Sequence, residues 1–414
     1  PPGPALLLPG DDMEPAVSWY VDKYAIAVWQ HQASSGAQWD IWYSQYQPGV
    51  GWTWPAPVWV SAVDDLDPAI AIDDNGWGIV VWRHGTPAVG YVLYYSVWNP
   101  FLPGWIGPNN VISGIWPPGC NQARTPEICI DSLHNAITVF TDNPIGGIGT
   151  EQILYSWVNF VAPPPPPMTW TVPAVIPGCP VMPPGWDWQK GISPDWLGNA
   201  ITVWGLVAPI PPEPIAFAQF TSPPKVWTIP ANPLPATNGE HPDVAFDRLN
   251  NAIAVYTHWP TGQIWYSIWN GAAWTPGMFA AWAGTGIEQW PAIAFLSNNK
   301  AVMVWQAYPE PGPKGEIYYS VYTPPHVGLW SPAATVNSPG LLLGDDAYVD
   351  IAAPNGSPTI PPHIHDVAVK NVSVCHGATF VHGGQMCCIN VTVVNEGDFT
   401  ETFNVTVYWN TTEI

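Results

Sequence analysis

A tract of histidines and cysteines near the C-terminus has the residue types of a metal site. It begins with an H-x-H-D sequence at residues 363–366 and ends with a Cys-Cys pair 25 residues after its first histidine. The candidate ligands are His363, His365, His376 and His382. Imidazole and thiolate together suit zinc or copper. The competing interpretation is a disulfide from Cys375 to Cys387 or Cys388, which would leave the histidines as polar linker residues.

Three further cysteines lie in the preceding part of the chain. Cys120 and Cys179 occupy equivalent Pro-Gly junctions and are a candidate disulfide pair, which would indicate an oxidising compartment. Cys129 instead stands where related segments have Ala71 and Ala245, so we expect it to be a small core residue.

Acidic residues are grouped just before several predicted strands. The groups are Asp11-Asp12 with Glu14, Asp64-Asp65 with Asp67, and Asp345-Asp346. Hard carboxylate oxygens of this kind bind calcium, but no Asp-x-Asp-x-Asp-Gly loop is present. We therefore favour a solvated acidic rim. The prediction is that the protein has no cofactor, with calcium, or zinc or copper, as the alternatives.

The segment 267–274 (Ser-Ile-Trp-Asn-Gly-Ala-Ala-Trp) resembles the Asp-box turn of sialidase-type propellers, S-x-D-x-G-x-T-W. The resemblance implies a structural turn. Sialic acid hydrolysis in that family uses three arginines with a Tyr/Glu pair, whereas Arg83, Arg124 and Arg248 stand at non-equivalent positions here. We expect no catalytic site and predict that the protein is not an enzyme. Trp52, Trp54, Trp105 and Trp274 on outer segments remain candidates for stacking on sugars.

The chain that positions these residues contains six copies of one sequence pattern, each predicting a set of β-strands. Each copy has an apolar strand, a polar turn, a second apolar strand and an aromatic strand that mostly ends in Tyr-Ser. The second strands are centred on residues 24–29, 75–82, 135–140, 199–204, 251–256 and 300–305. A repeat of roughly 50 to 60 residues built from strand formers is typical of β-propeller blades.

A fourth short segment with a tryptophan ends each copy, as in residues 104–106 and 226–228. Four antiparallel strands form a sheet with two apolar faces, which can be buried only by stacking such sheets around an axis. The fold class is therefore all-β, with a six-bladed β-propeller over residues 1–358. Seven blades are the alternative if residues 331–359 form a partial sheet, because residues 341–346 echo residues 6–12.

A different domain follows a Pro-rich linker at residues 359–364. Residues 365–414 resemble the CARDB family of immunoglobulin-like modules, common in archaeal and bacterial surface proteins; the resemblance is carried by residues 366–369, 389–397 and 400–408. Modules of that family continue for several more strands. We therefore expect either that the polypeptide is longer or that a neighbouring subunit supplies the missing strands.

Glycosylation sequons cluster in the same region. Five N-x-S/T sequences follow residue 350 and none precedes it. The four without a following proline are at Asn371, Asn390, Asn404 and Asn410. Strand alternation places Asn390 and Asn404 on the outward face, so the pattern favours a glycosylated exterior domain.

The net charge of the chain disfavours some classes of binding partner. The chain has 9 Lys and Arg against 31 Asp and Glu, a net charge of −22, which disfavours nucleic acid and anionic lipid as partners. No long apolar run predicts membrane insertion, and no signal peptide is recognised at the start. We predict an extracellular or cell-surface structural protein of a layer, sheath, filament or adhesin, which self-associates or binds neighbouring subunits. A glycan-binding or glycan-active secreted propeller is the alternative.

Overall fold

The computed structural model describes residues 10–352 with gaps, together with short parts of the C-terminus. The gaps are 21–22, 89, 103, 111–122, 143–150, 161–167, 180–189, 206–213, 229–232, 236–237, 260, 285, 308–315, 325–329 and 337–348; the described C-terminal residues are 367–374, 389–395, 408–409 and 412–413. The chain divides into two compact units, residues 1–358 and 359–414. No helix in the described residues is long and apolar enough to cross a membrane.

The described residues of the first unit form six antiparallel sheets, and the six-bladed β-propeller predicted from the repeat is confirmed. Blade 1 contains β1 (Asp11–Tyr20), β2 (Tyr24–Gln32), β3 (Trp39–Gln47), β4 (Gly51–Trp52) and β5 (Ala56–Trp59). Blade 2 contains β6 (Asp64–Ile72), β7 (Gly78–Thr86), β8 (Gly90–Trp98) and β9 (Trp105–Asn110). Blade 3 contains β10 (Arg124–Ile130), β11 (Asn135–Asp142), β12 (Gln152–Asn159) and β13 (Ala174–Val175).

The other three blades repeat this order. Blade 4 contains β14 (Lys190–Pro194), β15 (Ala200–Gly205), β16 (Ile215–Thr221) and β17 (Val226–Thr228). Blade 5 contains β18 (Gly239–Phe246), β19 (Ala252–His258), β20 (Gln263–Trp269) and β21 (Met278–Ala281). Blade 6 contains β22 (Glu288–Phe295), β23 (Ala301–Ala307), β24 (Glu316–Tyr322) and β25 (Ala334–Thr335).

The second unit is described only in part. Its strands are β26 (Val367–Val374), paired with β27 (Ile389–Asn395), and the short β28 (Tyr408–Trp409), paired with β29 (Thr412–Glu413). The predicted glycosylation sites Asn371 and Asn390 lie on β26 and β27. Asn404 and Asn410 lie outside the described residues, as do the predicted metal ligands His363, His365, His376 and His382 and the cysteines Cys375, Cys387 and Cys388.

The core lies between blades, because neighbouring sheets pack face to face around the axis. The aromatic residue near the end of each second strand shows this: Trp82, Trp204 and Trp305 are at most 1% exposed. Their equivalents Phe140 and Tyr256 are equally buried. The repeat predicts an interior position for Trp29, Trp82, Trp204 and Trp305. Sheet stacking confirms it for the last three, whereas Trp29 is half-buried.

The outer tryptophans divide between core and surface. Trp274 is only 6% exposed and packs against Trp269 and Phe217, so its predicted availability to sugar is wrong. Trp105 is half-buried against Tyr43 and Trp98. Trp52 is half-buried against Tyr46, and Trp54 is 71% exposed.

The junction between blades 6 and 1 differs from the others. Inner strands of consecutive blades pack directly from β1 through β22, but at this junction the inner position is taken by residues 349–352. Asp350 Oδ2 accepts the Val17 amide at 2.7 Å, just as Asp243 Oδ2 of blade 5 accepts the Ile293 amide of blade 6 at 2.8 Å. Asp350 therefore stands where an inner strand of a preceding blade would stand.

Side chains that face this junction are less buried than their equivalents. Trp29 is half-buried, whereas Trp82 at the same position of blade 2 is fully buried. On blade 6, Ile317 and Tyr319 are half-buried, whereas Ile264 and Tyr266 of blade 5 are fully buried. We call the half-buried side chains Trp29, Ile317 and Tyr319 and their neighbours Trp19, Trp42, Val302 and Val321 the seam.

Candidate functional site at the channel mouth

The inner strands of all six blades line a channel along the axis. One part of it is a cavity of about 290 Å³ that reaches the ends of these strands. The other is a cavity of about 160 Å³ at their beginnings, which we call the mouth; it is lined by residues 14–16, 67–68, 125–127, 241–243, 290–292 and 349–350. The carboxyl-bearing residues Glu127, Asp243 and Asp350 border both cavities.

A β-bulge shapes the mouth in five blades. The residue before the inner-strand proline has a positive φ in each of them, at Glu14 (49°), Asp67 (51°), Thr125 (40°), His241 (52°) and Trp290 (49°). This region is unfavourable for residues other than glycine, and most of all for β-branched threonine. Strained positions of this kind cluster at functional sites. The bulge turns all five of these residues toward one opening.

The residue after the same proline changes from blade to blade. It is alanine in blades 1, 2 and 6 but Glu127 in blade 3 and Asp243 in blade 5, and the equivalent in blade 4 is Gly191. A Cβ on Gly191 would lie 2.4 Å from Asp243 Oδ1. Sequence reasoning missed these carboxyls, although an alignment of the repeats on the proline shows them as departures from alanine.

Two of the carboxyls lie inside the ring of blades, where Asp243 is half-buried and Asp350 is exposed to the channel. Burial raises the pKa of Asp243 to about 7, helped by the nearby charge of Asp350 and opposed by the amides of Ile293 and Val244. Burial likewise raises the pKa of Asp350 to about 6. The surrounding blades limit contact with bulk solvent, which makes ionisation of both carboxyls less favourable than in water. At neutral pH the Asp243 carboxyl is therefore close to half protonated, so it can either donate or accept a hydrogen bond.

His241 and Trp290 form the aromatic part of the mouth. Their ring centroids are 5.3 Å apart, and burial lowers the pKa of His241 to about 4. The imidazole is therefore neutral at physiological pH. Its Nδ1 is buried and has no hydrogen-bond partner among the described residues. An unpaired polar atom next to an open cavity is costly unless a ligand or water satisfies it.

The arginines do not converge on one point. Arg83 Nε lies 2.7 Å from Asp67 Oδ2 and its guanidinium lies over the Tyr91 ring at 4.8 Å, whereas Arg124 pairs with Glu151 at 3.2 Å. Arg248 follows β18 at the opposite end of the inner strands. The first two are held by carboxylates at the mouth end, and the third is too far along the blade to complete an anion clamp with them.

The acidic groups noted before several of the strands have a structural use that the sequence did not suggest. Asp65 is fully buried and accepts hydrogen bonds from Trp82 Nε1 and His84 Nδ1, both at 2.7 Å. Asp12 makes the same pair of contacts with Trp29 and His31. The expectation of a solvated rim is therefore wrong for Asp65, because the carboxylate satisfies buried donors. Asp345 and Asp346 lie outside the described residues.

The remaining predicted residues lie as follows. Cys129 is buried in the core, and burial raises the pKa of the Cys179 thiol to about 11. Cys120 lies outside the described residues, so its bridge to Cys179 stays a prediction. The segment resembling the Asp-box is a turn between β20 and β21, in which Asn270 Oδ1 accepts the amides of Ala272 and Ala273 at 3.0 and 2.9 Å.

Comparisons with known proteins give the fold and no family. No family model and no curated protein matches the chain. Among solved structures, it is similar to an ulvan lyase of polysaccharide lyase family 25 bound to -[GlcA(1-4)Rha3S]-, with a TM-score of 0.52 and 10% identity, covering 77% of this chain and 83% of that one. The similarity supports the class that the sheets define, a β-propeller.

Two other similar structures have lower TM-scores. The α-L-arabinanase of Penicillium chrysogenum complexed with arabinobiose has a TM-score of 0.49 and 11% identity, covering 78% of this chain and 95% of that one. The Hadza microbial sialidase Hz136 has a TM-score of 0.48 and 11% identity. The match covers 72% of this chain and spans 63% of the sialidase chain.

Proposed function

We propose that this protein is an extracellular carbohydrate-binding β-propeller that holds a neutral sugar in the channel mouth. The observation that carries the proposal is the unpaired Nδ1 of neutral His241, buried beside Trp290 at a cavity bordered by carboxyls. A sugar hydroxyl can satisfy that nitrogen, and the indole supplies an apolar face against which a sugar ring packs.

The charge of the mouth supports a neutral ligand. Glu14, Asp67, Glu127, Asp243 and Asp350 all border it, and the whole chain carries a net charge of −22. Carboxylates accept hydrogen bonds from hydroxyls, and such charge-assisted bonds are each worth about 1.5–3 kcal/mol. An acidic sugar would meet repulsion instead, since Arg83 and Arg124 are already paired.

We propose binding without cleavage. The amides of Val17 and Ile351 each donate to an oxygen of Asp350, at 2.7 Å in both cases, and the Ile293 amide donates to Asp243, so these carboxyls connect neighbouring segments of the ring. These contacts hold the two side chains in fixed positions between neighbouring segments of the ring, which is a structural role. The arginines are too dispersed to act on an anionic substrate together.

A glycan array with the purified chain tests the proposal. We expect neutral oligosaccharides to bind and sialylated or uronic-acid glycans not to bind, and we expect bound oligosaccharides to be recovered intact after prolonged incubation. An array with no binder, or with acidic glycans alone, would refute the proposed ligand. Release of shorter products would refute the absence of catalysis.

A structural role is the second candidate, and the seam favours it. Half-buried aromatic and aliphatic side chains face each other there, and within the described residues only 349–352 lie between blades 6 and 1. Apolar surface of this kind marks interaction sites. A neighbouring subunit in an extracellular layer or filament would supply strands to cover it, and the C-terminal unit would be the CARDB-like, glycosylated module expected from its sequence.

Sedimentation velocity distinguishes the two roles. If the seam is an assembly surface, the wild-type chain self-associates at micromolar concentration and Tyr319→Glu abolishes association. The matched control is Phe279→Glu on β21, where the side chain is 50% exposed and outside the seam. A monomeric wild type, or association that survives Tyr319→Glu, would eliminate the seam as the interface.

A further inference from the structure

In blades 3, 4 and 5 the hairpin turns at the far end of the channel share one hydrogen-bonding scheme. An aspartate that follows the inner strand accepts backbone amides through Oδ1, and an asparagine four residues later donates its side-chain amide to Oδ2. The asparagine-to-aspartate distances are 2.7 Å for Asn135–Asp131, 2.7 Å for Asn199–Asp195 and 2.9 Å for Asn251–Asp247.

Blade 2 lacks one hydrogen bond of this scheme, the one to the second carboxylate oxygen of the aspartate. Asp73 Oδ1 accepts the amides of Asn75 and Trp77 at 2.9 and 2.7 Å, but the residue four positions on is Trp77, whose side chain has no amide to donate. Asp73 Oδ2 is left buried without a hydrogen-bond partner among the described residues. The Asp73 side chain is 1% exposed. An unpaired buried carboxylate oxygen is costly unless a cation compensates it.

Blade 3 differs from other blades at the fourth residue of the same turn. The fourth residue of the turn has a positive φ in blades 2 to 6. In two of these blades it is an asparagine that accepts an amide of the preceding blade: Asn250 from Trp196 at 2.9 Å and Asn299 from Arg248 at 3.2 Å. In blade 3 this residue is His134, with φ 57°. Its Nδ1 is buried, makes no hydrogen bond within the described residues, and faces blade 2.

Three ligand atoms therefore meet at the junction of blades 2 and 3. His134 Nδ1 lies 3.5 Å from Asp73 Oδ2 and 3.7 Å from Asp74 Oδ1, and the three atoms lie within 4.8 Å of one another. These separations are longer than hydrogen bonds. They are close to the edge of about 3.4 Å expected for a tetrahedron with metal–ligand distances near 2.0–2.1 Å.

We propose that Asp73, Asp74 and His134 bind one divalent metal ion, zinc by the chemistry of the ligands, at the junction of blades 2 and 3. Two carboxylates and one imidazole suit zinc, whereas calcium requires six to eight oxygen ligands. His134 and Asp74 are partly exposed, with side-chain exposures of 30% and 22%, so the ion has an entry path and a solvent-facing fourth position. The ion links the turns of two blades.

The competing explanation is an ion pair between the carboxylates and a protonated His134 imidazole. A measurement of metal binding distinguishes this explanation from the proposed metal site. The full chain is freed of metal with a chelator and titrated with ZnCl₂ by calorimetry, with CaCl₂ as a second titrant. We expect zinc to bind at this site, and His134→Gln and Asp73→Asn each to remove one equivalent of bound zinc or weaken it at least tenfold. Asp73→Asn also supplies an amide that can donate to His134, which favours folding without the ion.

His258→Gln is the matched control, because His258 Nδ1 contacts Thr261 and faces no carboxylate in the structure's described part. This variant retains the wild-type zinc stoichiometry and affinity. Chelator-treated His134→Gln has an unfolding midpoint equal to that of chelator-treated wild type, and added zinc raises the midpoint in the wild type more than in this variant. Equal zinc binding by wild type and His134→Gln, or no zinc binding by the wild type, would overturn the proposal.

Discussion

At the scale of single residues, an acidic side chain organises the junction between strands within a blade. Asp65 holds the indole of Trp82 and the ring of His84, and Asp12 does the same for Trp29 and His31. Because the aromatic ring is packed and its polar atom is satisfied by the same blade, the tryptophan can be buried completely. The two tryptophans differ in burial: Trp82 is fully buried, whereas Trp29 belongs to the seam and is half-buried.

Truncation of these two tryptophans measures that difference. We expect Trp82→Ala to lower the free energy of unfolding by about 3–5 kcal/mol, as for a large aromatic side chain in a packed core. Trp29→Ala removes a half-buried ring and is expected to cost less than about 2 kcal/mol. Reversible denaturant unfolding of both variants gives the comparison, and equal losses would mean that the seam is as well packed as the other junctions.

Buried carboxyls make stability depend on pH. Burial raises the pKa of both Asp243 and Glu288 to about 7, so the folded state holds these protons more tightly than the unfolded chain. Their stabilisation is complete below about pH 4, is lost progressively as pH rises through the folded pKa near 7, and is gone about one pH unit above it. Burial lowers the pKa of His241 to about 4, so this residue makes stability rise with pH instead of fall. That rise is over by about pH 6.5, the pKa of histidine in the unfolded chain.

The unfolding midpoint is therefore expected to fall as pH rises from about 6.5 to 8. Asp243→Asn should flatten part of this slope, whereas Asp11→Asn, at an exposed position, should not. Thermal unfolding in buffers of equal ionic strength makes the measurement. A midpoint that rises over this interval would show that these carboxyls are ionised at little cost in the folded state.

At the scale of strands, the repeat predicted most of the architecture. Strand-forming runs such as residues 251–256 and Tyr-Ser endings such as residues 266–267 locate the second and third strands, since period-2 alternation survives in every copy. The bulge could not be predicted, because a positive φ at Thr125 or Trp290 follows from packing around the axis and not from residue type. The candidate sites were missed for a related reason: His134 and Asp73 lie in different blades and meet only when the sheets stack.

The close approach of inner strands at Gly191 is a testable consequence. A Cβ at this position would lie 2.4 Å from Asp243 Oδ1 and 2.8 Å from backbone atoms of β18. We expect Gly191→Ala to destabilise the fold by about 1–3 kcal/mol through overpacking. Gly205→Ala on β15 is the control, since its nearest contact would be 3.6 Å. Denaturant unfolding that shows no difference between the two would contradict the inter-blade geometry.

At the scale of the whole molecule, the chain contains two units that we expect to fold independently. The propeller unit, residues 1–358, has its own core between blades, and no described strand of residues 359–414 enters its sheets. A chain of residues 1–358 should therefore unfold cooperatively at the midpoint of the corresponding transition in the full protein. A markedly lower midpoint would mean that the C-terminal unit stabilises the propeller.

The calorimetric titration of a neutral oligosaccharide selected on the array tests the central claim most directly. We expect wild type to bind one ligand, and His241→Gln and Trp290→Ala to weaken binding at least tenfold while remaining folded. Trp282→Ala, at a 49% exposed tryptophan outside the mouth, should bind as wild type does. If Trp282→Ala loses affinity while His241→Gln and Trp290→Ala keep it, the sugar does not bind in the channel mouth.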